Sequence, residues 1–305
     1  MARHEIPLER RTLHGHFSRD LEPILSVDSG DSIAFACLNS GWRTAEHEPY
    51  AERREGELDA GHALIGPIEV RGARAGQALE IRIDEVRIGA GGVTQAGGWS
   101  TPLNERLGVH DGETLTMLWE LDADDGMGRS QSGREVALHP FFGVIGMPPD
   151  EPGIHSTAPP RSCGGNIDCK ELVGGTTLYI PIPVDGALLS AGDGHAAQGD
   201  GEVSQLAIEA PVERAQLTLS VRDDLRLANP IAWTPEAWLT FGFDEDLDEA
   251  AALATDAMLD LMRRDLEIER VDALALASIV VDLRVTQMVN GTQGIHARLA
   301  HDALR

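Results

Sequence analysis

The sequence LEIRIDEVRI at residues 79–88 decides the fold class. Apolar and charged side chains nearly alternate along it, which is the period of a β-strand with one buried face. The apolar positions are Leu79, Ile81, Ile83, Val86 and Ile88. Because the alternation slips between Ile83 and Val86, we expect a β-bulge or a local twist in this strand.

Shorter runs of the same kind surround this strand from residue 1 to about residue 228. They are separated by Gly, Pro and Asp, which are typical of turns. Strands are predicted at residues 24–27, 32–37, 67–70, 176–182, 202–209 and 215–221. Residues 121–134 are expected to form an exposed loop because they are polar and glycine-rich. They lack the ligand register of an EF-hand, so a solvated turn is expected there rather than a calcium loop. The sequence therefore predicts a mainly β body, a β-sandwich or barrel, over residues 1–228.

The pattern changes after residue 229. Apolar residues recur at helical spacing over residues 246–266, and a second helix is predicted over about residues 272–283. A returning strand is predicted at residues 284–289, with Asn290 and Gly291 as its turn. Residues 229–305 are thus expected to form an α+β segment, a helical pair with a strand, packed on the body.

Composition excludes several partners. Among 305 residues there are 50 acidic and 25 basic ones, giving a net charge of −25. Binding to nucleic acid or to an anionic membrane requires a basic surface, so neither is expected. The only lysine is Lys170, so any lysine-dependent mechanism would need that residue.

Other features of the chain indicate its compartment. No stretch reaches the roughly 18 uninterrupted apolar residues of a membrane span, and the N-terminus lacks an apolar signal region. The three cysteines have no CxxC spacing, so neither a disulfide framework nor a zinc knuckle is expected. We expect a cytoplasmic protein that forms a homo-oligomer.

The densest chemical signal is the sequence SAGDGHAAQGDGE at residues 190–202. Glycines allow tight turns, and acidic groups beside one imidazole without a basic residue are suited to a cation. Asp193 and His195 are two residues apart, so in an extended segment their side chains project from one face, as paired ligands would. A divalent metal is the simplest cation for this site.

A second segment, CGGNIDCKE at residues 163–171, repeats the spacing with Asn166 and Asp168. Each of these residues alone is most simply explained as a turn residue that binds backbone donors. The two segments together favour one site, because turns do not ordinarily need His, Gln and Glu as well. A nucleophilic Cys163 or Cys169 would require a base that the sequence does not identify.

Weaker candidates lie nearer the N-terminus. His14 and His16, close to Asp20, could form a third ligand group or lie on a surface strand. His62 precedes the apolar residues 63–68 and could face a pocket or cap a sheet edge. The Gly-x-Ser-x-Gly and Walker sequences are absent, which disfavours a common serine hydrolase and a P-loop enzyme.

The same motifs resemble the acetamidase/formamidase family over nearly the whole chain. The resemblance rests on DLEP (20–23), VDSGD (27–31), GPIEVRGA (66–73), PFFGVIG (140–146), GGNID (164–168), DGALLS (185–190) and GDGHAAQGDGE (192–202). Residues 159–163 depart from the glycine-rich pattern that is common in the family, and residues 121–134 are idiosyncratic. The resemblance implies hydrolysis of formamide or acetamide to ammonia and a carboxylate. It also implies a mainly β fold and, in some members, a bound divalent metal such as zinc or calcium.

The resemblance covers seven polar positions, Asn166, Asp168, Asp193, His195, Gln198, Asp200 and Glu202. From their chemistry we expect Asp168, Asp193 and His195 to hold a metal, with zinc as our first choice and calcium as the alternative, that activates water.

Glu202, with Asp200, would be catalytic, and Glu202 would carry the proton from water to the departing amine. Asn166, Gln198 and His62 would bind the amide substrate. Phe141 and Phe142 would limit the size of the pocket, which we expect to be tight.

Two alternatives remain open. One is an amidase with Cys163 or Cys169 as nucleophile, which has no need of a metal. The other is a non-catalytic β-sandwich that binds calcium or a small ligand. His195 argues against the second alternative, because a structural calcium site prefers oxygen ligands throughout.

Overall fold

The computed structural model describes residues 1–44 and 48–304 and is mainly β. The strands, in chain order, are β1 (Arg3–Ile6), β2 (Leu13–His14), β3 (Leu25–Val27), β4 (Ser32–Cys37), β5 (Leu64–Val70), β6 (Ala78–Ile88), β7 (Gly91–Ala96), β8 (Leu115–Asp122), β9 (Met127–Ser130), β10 (Glu135–Ala137), β11 (Phe141–Gly146), β12 (Pro160–Arg161), β13 (Gly164–Asn166), β14 (Thr177–Pro181), β15 (Leu189–His195), β16 (Val212–Arg222), β17 (Ile231–Trp233), β18 (Ala237–Asp244), β19 (Val281–Gln287) and β20 (Gln293–Ala300). The α-helices are α1 (Pro102–Leu107), α2 (Leu247–Leu266) and α3 (Arg270–Val280). The predicted mainly β fold with a C-terminal helical pair and a returning strand is confirmed.

Three sheets organise these strands. The largest has nine strands in the order β1-β4-β16-β6-β14-β17-β18-β20-β19. A seven-stranded sheet has the order β12-β13-β11-β15-β5-β2, with β3 paired to β5. These two sheets share the main core, where Phe35 of β4 stacks on Phe142 of β11 with ring centroids 5.7 Å apart. The third sheet, β10-β9-β8-β7, is a meander beside them.

Strand β6 confirms the sequence-based expectation in detail. Leu79, Ile81 and Ile83 are fully buried, as one face of a half-buried strand should be. Against β16 the register shifts between the pairs Gln216–Glu85 and Leu217–Ile83. Asp84 is therefore the extra residue of a β-bulge, at the point where the alternation slips.

The C-terminal segment extends the largest sheet. Helix α2 begins after Asp246, whose side chain accepts the backbone N–H groups of Asp248 and Glu249, and it buries its apolar stripe against β18 and β20. Helix α3 and β19 begin two and three residues earlier than predicted, and strand β20 is missing from the prediction. Because β17 to β20 continue the nine-stranded sheet, that sheet crosses the predicted boundary at residues 228 and 229, and the division into two domains stays a prediction.

Two sequence-based expectations are wrong. Residues 121–134 form part of the β8–β9–β10 meander rather than a loop, and Asp122 accepts the backbone N–H groups of Asp124 and Asp125 at its first turn. Residues 202–209 form no strand, because Glu202 and Gln205 adopt positive φ angles of 46° and 69° that interrupt an extended ladder. Within residues 1–44 and 48–304, no helix is long and apolar enough to span a membrane.

Candidate active site

The two motif segments meet in the seven-stranded sheet, on two strands that are separated by one other strand. Strand β11 lies between β13 and β15, with Val144 opposite Asn166 and Phe141 opposite His195. Asp168 follows β13 and is held by its backbone N–H, which donates to the carbonyl of Gly143. The sheet thus brings together side chains that are about 25 residues apart in the sequence.

Five buried residues form the cluster that we call the acidic centre, namely Asp168, Asp193, His195, Glu202 and Glu209. Ligand atoms of Asp168, Asp193 and His195 all lie within 4.8 Å of one another, and so do those of His195, Glu202 and Glu209. Nε2 of His195 lies 3.3 Å from Oδ1 of Asp193 and 3.3 Å from Oε1 of Glu209. His195 is therefore shared by two groups of carboxylates.

Glu209 was missed by the sequence analysis. It pairs with His195 on one side and exchanges both backbone hydrogen bonds with Val93 of β7 on the other. It lies 14 residues after His195, outside both motif segments, and no neighbouring residue marks it as a ligand. The only available signal is an isolated acid within the apolar sequence AIEA at residues 207–210.

Several carboxylate oxygens of the acidic centre lack hydrogen-bond donors. Oδ1 of Asp168, Oδ1 of Asp193 and Oε2 of Glu209 are buried without a hydrogen-bond partner, and so is Oδ1 of the neighbouring Asn166. A buried polar atom left without a partner costs about 1–3 kcal/mol. Four such atoms in one place indicate a site built for a ligand that donates to them or coordinates them.

Hydrogen bonds to Gln198 fix the orientation of the His195 ring. Nε2 of Gln198 donates to the backbone carbonyl of Asp168 at 2.7 Å, so Oε1 of Gln198 faces Nδ1 of His195 at 2.9 Å. Since Oε1 only accepts, Nδ1 carries the proton. A neutral His195 would then present the lone pair of Nε2 to two carboxylate oxygens, which requires a proton or another cation between them.

The pKa values of the acidic centre also indicate an excess of carboxylates over basic groups. Burial and the Glu202 carboxylate raise the pKa of Asp168 well above its usual range. Burial, together with Glu209 and Asp193, raises the pKa of Glu202 to about 8. Burial lowers the pKa of His195, but Glu209 and Asp193 outweigh it and raise the pKa well above 6.5. Burial raises the pKa of Asp193, yet His195 and His62 hold it below its usual value.

Gly143 leaves the space into which these groups converge. A Cβ atom at this position would clash with Oδ2 of Asp193 and would lie 2.8 Å from Oδ1 of Asp168. The backbone around it is strained, since Asp168, Asp193 and Glu202 have φ angles of 53°, 60° and 46°. Non-glycine residues in this region cost about 1–3 kcal/mol each, and such residues cluster at functional sites.

The predicted substrate-binding residues all lie around the centre. His62 places Nε2 3.9 Å from Oδ2 of Asp193, and Asn166 is buried with its Oδ1 unpartnered. Gln198 uses both ends of its amide on His195 and Asp168, so its contacts are those of an orienting residue. Asn290 lies in the turn between β19 and β20 and was not selected as a site residue from the sequence. Its side-chain amide donates a hydrogen bond of 2.9 Å to Oδ2 of Asp168.

Other candidates lie apart from the centre. Asp200 is exposed and pairs with Lys170, the only lysine of the sequence, at 3.0 Å. Nε2 of His14 bonds to Ser190 and burial lowers its pKa to about 4, while Nδ1 of His16 bonds to the carbonyl of Leu58, so neither belongs to the cluster. Phe141 packs edge-on against His195 with ring centroids 5.0 Å apart.

The two candidate nucleophilic cysteines are buried. Burial raises the pKa of the Cys163 thiol to about 11, and burial likewise raises that of Cys169. A thiolate is the nucleophilic form of cysteine, so both sites oppose that chemistry.

Three cavities border the acidic centre. One of about 610 Å³ is lined by His62 and Thr157, and one of about 280 Å³ is lined by Glu209. The third, of about 430 Å³, is lined by Gln198 and Glu202. Phe141 and Phe142 line none of the three, so they do not limit the pocket as expected from the sequence.

The family model for the acetamidase/formamidase family matches residues 3–154 and 152–290. The chain belongs to this family. An acetamidase structure from Bacillus halodurans superposes with a TM-score of 0.84 and 30% identity over 97% of each chain. A structure of a predicted acetamidase/formamidase from Thermoanaerobacter tengcongensis gives a TM-score of 0.85 and 26% identity over 98% of this chain and 96% of that one.

Among curated proteins, a formamidase of Methylophilus methylotrophus is 25% identical over 63% of this chain, which spans 60% of that protein. As a family member, the chain is a hydrolase that acts on amide C–N bonds.

Proposed function

We propose that this chain hydrolyses primary carboxamides to ammonia and a carboxylate at the acidic centre, with a divalent cation as cofactor. The observation that supports this most directly is the orientation of His195. Its Nε2 lies 3.3 Å from a carboxylate oxygen of Asp193 and 3.3 Å from one of Glu209, where a neutral ring would direct its lone pair. Further acidic oxygens of the centre are buried without a hydrogen-bond partner.

The donor set fits such a cation. Asp168, Asp193 and His195 would hold it, and a mixture of carboxylate oxygen and imidazole nitrogen is a zinc ligand set rather than a typical calcium one. The space above Gly143 and the unpartnered oxygens support binding at this point. When bound, a divalent cation polarises a carbonyl oxygen and makes water more acidic.

The residues of the chain supply the proton transfers. Amide hydrolysis needs one proton removed from the attacking water and one delivered to the nitrogen as the C–N bond breaks. Glu202 is suited to carry this proton, because its raised pKa of about 8 lies near neutral pH. Oδ1 of Asn166, an unpartnered acceptor, would receive an N–H of the substrate amide. Gln198 would hold His195 in position.

Ammonia release tests this proposal. The purified protein is incubated with formamide, acetamide and propionamide before chelation, after chelation and after zinc or calcium is restored. We expect ammonia release that is lost on chelation and recovered with the metal. Full activity of the metal-free protein would refute the role of the cation, and no hydrolysis in any state would refute the function.

Two variants separate the alternatives. Cys163→Ser and Cys169→Ser should retain activity, whereas loss of turnover in either one with an intact fold would favour the cysteine mechanism. Metal binding without hydrolysis of any amide would favour a non-catalytic binding module. The cytoplasmic location and the homo-oligomeric state stay predictions.

A further inference from the structure

The cavity beside Glu202 is large for the substrates named in this family. Its volume is about 430 Å³, which lies within the range of pockets that hold drug-sized ligands. Formamide and acetamide have only a handful of heavy atoms. A tight pocket was expected from the sequence. The cavity instead has more space than the smallest amides fill.

This cavity begins at the acidic centre. Glu202 and Gln198 belong to its lining, and Gln198 is hydrogen bonded to both His195 and Asp168. A substrate group that occupies the cavity therefore lies close to Glu202. The meander contributes Thr94, Trp119 and Val136 to the lining.

The remaining lining is mostly apolar. The contributing side chains include Val136, Ala197, Val203, Leu206, Ala207 and Ile208. Its ionisable groups are Asp200 and Glu202, which are both acidic. An apolar surface gains free energy by burying hydrocarbon, whereas an anionic group there would lose its hydration without a basic partner among the described lining residues.

We propose that this cavity binds the acyl part of the substrate, and that the preferred substrates are neutral primary amides whose apolar acyl group is larger than acetyl. Aliphatic chains of about four to six carbons, or a single ring, are the chemical class that fits. This inference rests on the proposed amide hydrolysis. Val136 and Leu206 would then be specificity-determining residues.

A homologous series of substrates tests the proposal on the wild-type protein. We measure kcat/KM for acetamide, propionamide, butyramide and hexanamide, which share similar intrinsic reactivity, with formamide as a separate check of the basic activity. Burial of each methylene predicts a rise of about fourfold, from about 0.8 kcal/mol per CH₂. Succinamate, which carries a carboxylate on its acyl chain, should be hydrolysed at least tenfold less efficiently than butyramide.

The outcomes separate the two proposals. Hydrolysis of formamide and acetamide with a flat or falling series overturns the acyl cavity and leaves the proposed function standing. Absence of hydrolysis with every amide overturns both. A rising series with equally good hydrolysis of succinamate overturns the assignment to this cavity, whose lining within residues 1–44 and 48–304 holds no basic residue.

A pair of variants on β10 locates the effect. Val136 is half-buried and lines the cavity, whereas the next residue, Ala137, is exposed on the opposite face of the strand. Val136→Phe should lower the ratio of kcat/KM for hexanamide to that for acetamide at least tenfold, and Ala137→Phe should leave the ratio unchanged. An equal ratio in both variants would place the acyl group elsewhere. If Val136→Phe does not fold, the wild-type series still decides the proposal.

Discussion

Glu171 and Asp168 lie three residues apart in the sequence. Glu171 is partly buried among basic side chains, whereas Asp168 is fully buried among carboxylates. Glu171 lies 2.8 Å from Arg284, 3.4 Å from His296 and 3.3 Å from Arg298. Burial raises its pKa, but these three basic partners outweigh burial and lower it. Asp168 has other carboxylates as its main neighbours, and its pKa is raised.

The difference distinguishes a structural carboxylate from a reactive one. The partners of Glu171 come from β19 and β20, so its ion pairs hold the body against the C-terminal strands. The same strands lead to the turn that brings Asn290 to Asp168. A buried acid that is compensated contributes to folding, whereas the uncompensated acidic centre requires a proton or a cation.

Replacement of the proposed proton carrier should give the largest effect. We expect Glu202→Gln to lower kcat about 10²- to 10⁴-fold, because the amide cannot accept the proton from water. The fold should be retained, since Gln has the shape of Glu and removes an ionisable group from among other carboxylates. Steady-state ammonia release measures the effect, with Glu120→Gln on the exposed face of β8 as control. An undiminished kcat in Glu202→Gln would remove this residue from the mechanism.

Replacement of the compensated acid should affect stability instead. We expect Glu171→Gln to lower the free energy of unfolding by about 2 kcal/mol, because partly buried Arg284 and Arg298 lose their counter-charge. Urea denaturation measures this, with Asp168→Asn in the metal-free protein as the comparison, where no loss is expected. If Asp168→Asn is the more destabilising of the two, the proposed contrast is wrong.

The contribution of Glu171 should also depend on pH with a defined sign. Its pKa is lowered in the folded protein, so its stabilisation is present above the unfolded-state pKa and is lost as the pH falls through the folded-state value. The difference in unfolding free energy between wild type and Glu171→Gln should be about 2 kcal/mol at pH 6 and should shrink as the pH falls below the ordinary glutamate pKa of about 4.3. A difference that does not change with pH would mean that shape, and not charge, carries the effect.

The smallest effect is expected at a residue that positions His62. The Thr157 hydroxyl is buried, accepts the backbone N–H of His62 at 3.0 Å and lies 2.8 Å from its Nδ1. When the Thr157 hydroxyl donates to Nδ1 of His62, Nδ1 is the acceptor and the proton of the neutral ring is on Nε2. Nε2 faces Asp193.

The test of Thr157 compares two substitutions. Thr157→Val should lower kcat about fivefold, consistent with one hydrogen bond of about 1 kcal/mol, and Thr157→Ser should restore it. Nitrogen NMR of the His62 ring reports the tautomer. An unchanged tautomer in Thr157→Val would refute the positioning role.

Local patterns in the sequence predicted much of the fold. The alternation of residues 79–88 identified β6 and its bulge, and helical spacing identified α2, because both depend on neighbours along one element. The strand predicted at residues 202–209 was wrong, since its apolar residues Val203 and Leu206 line a cavity and Glu202 has a positive φ angle. Residue type and spacing do not report such backbone conformations.

The site was predictable where its residues lie in one motif. Asp193 and His195 share a strand face, and Asp168 lies in the second motif, so the sequence selected all three. Glu209 and Asn290 reach the centre only through the pairing with β7 and the C-terminal turn, which no local pattern reports. The excess of carboxylates over basic groups at the acidic centre likewise depends on how distant segments pack together, which the sequence pattern does not report.

Calorimetric titration of zinc into the metal-free protein tests the central claim most directly, with calcium titrated in parallel. The account predicts that one divalent ion binds per chain with release of protons, that binding is lost in Asp193→Asn and that it is retained in Glu171→Gln. Absence of binding, or equal binding by the wild type and Asp193→Asn, would contradict the claim that the acidic centre is built around a cation.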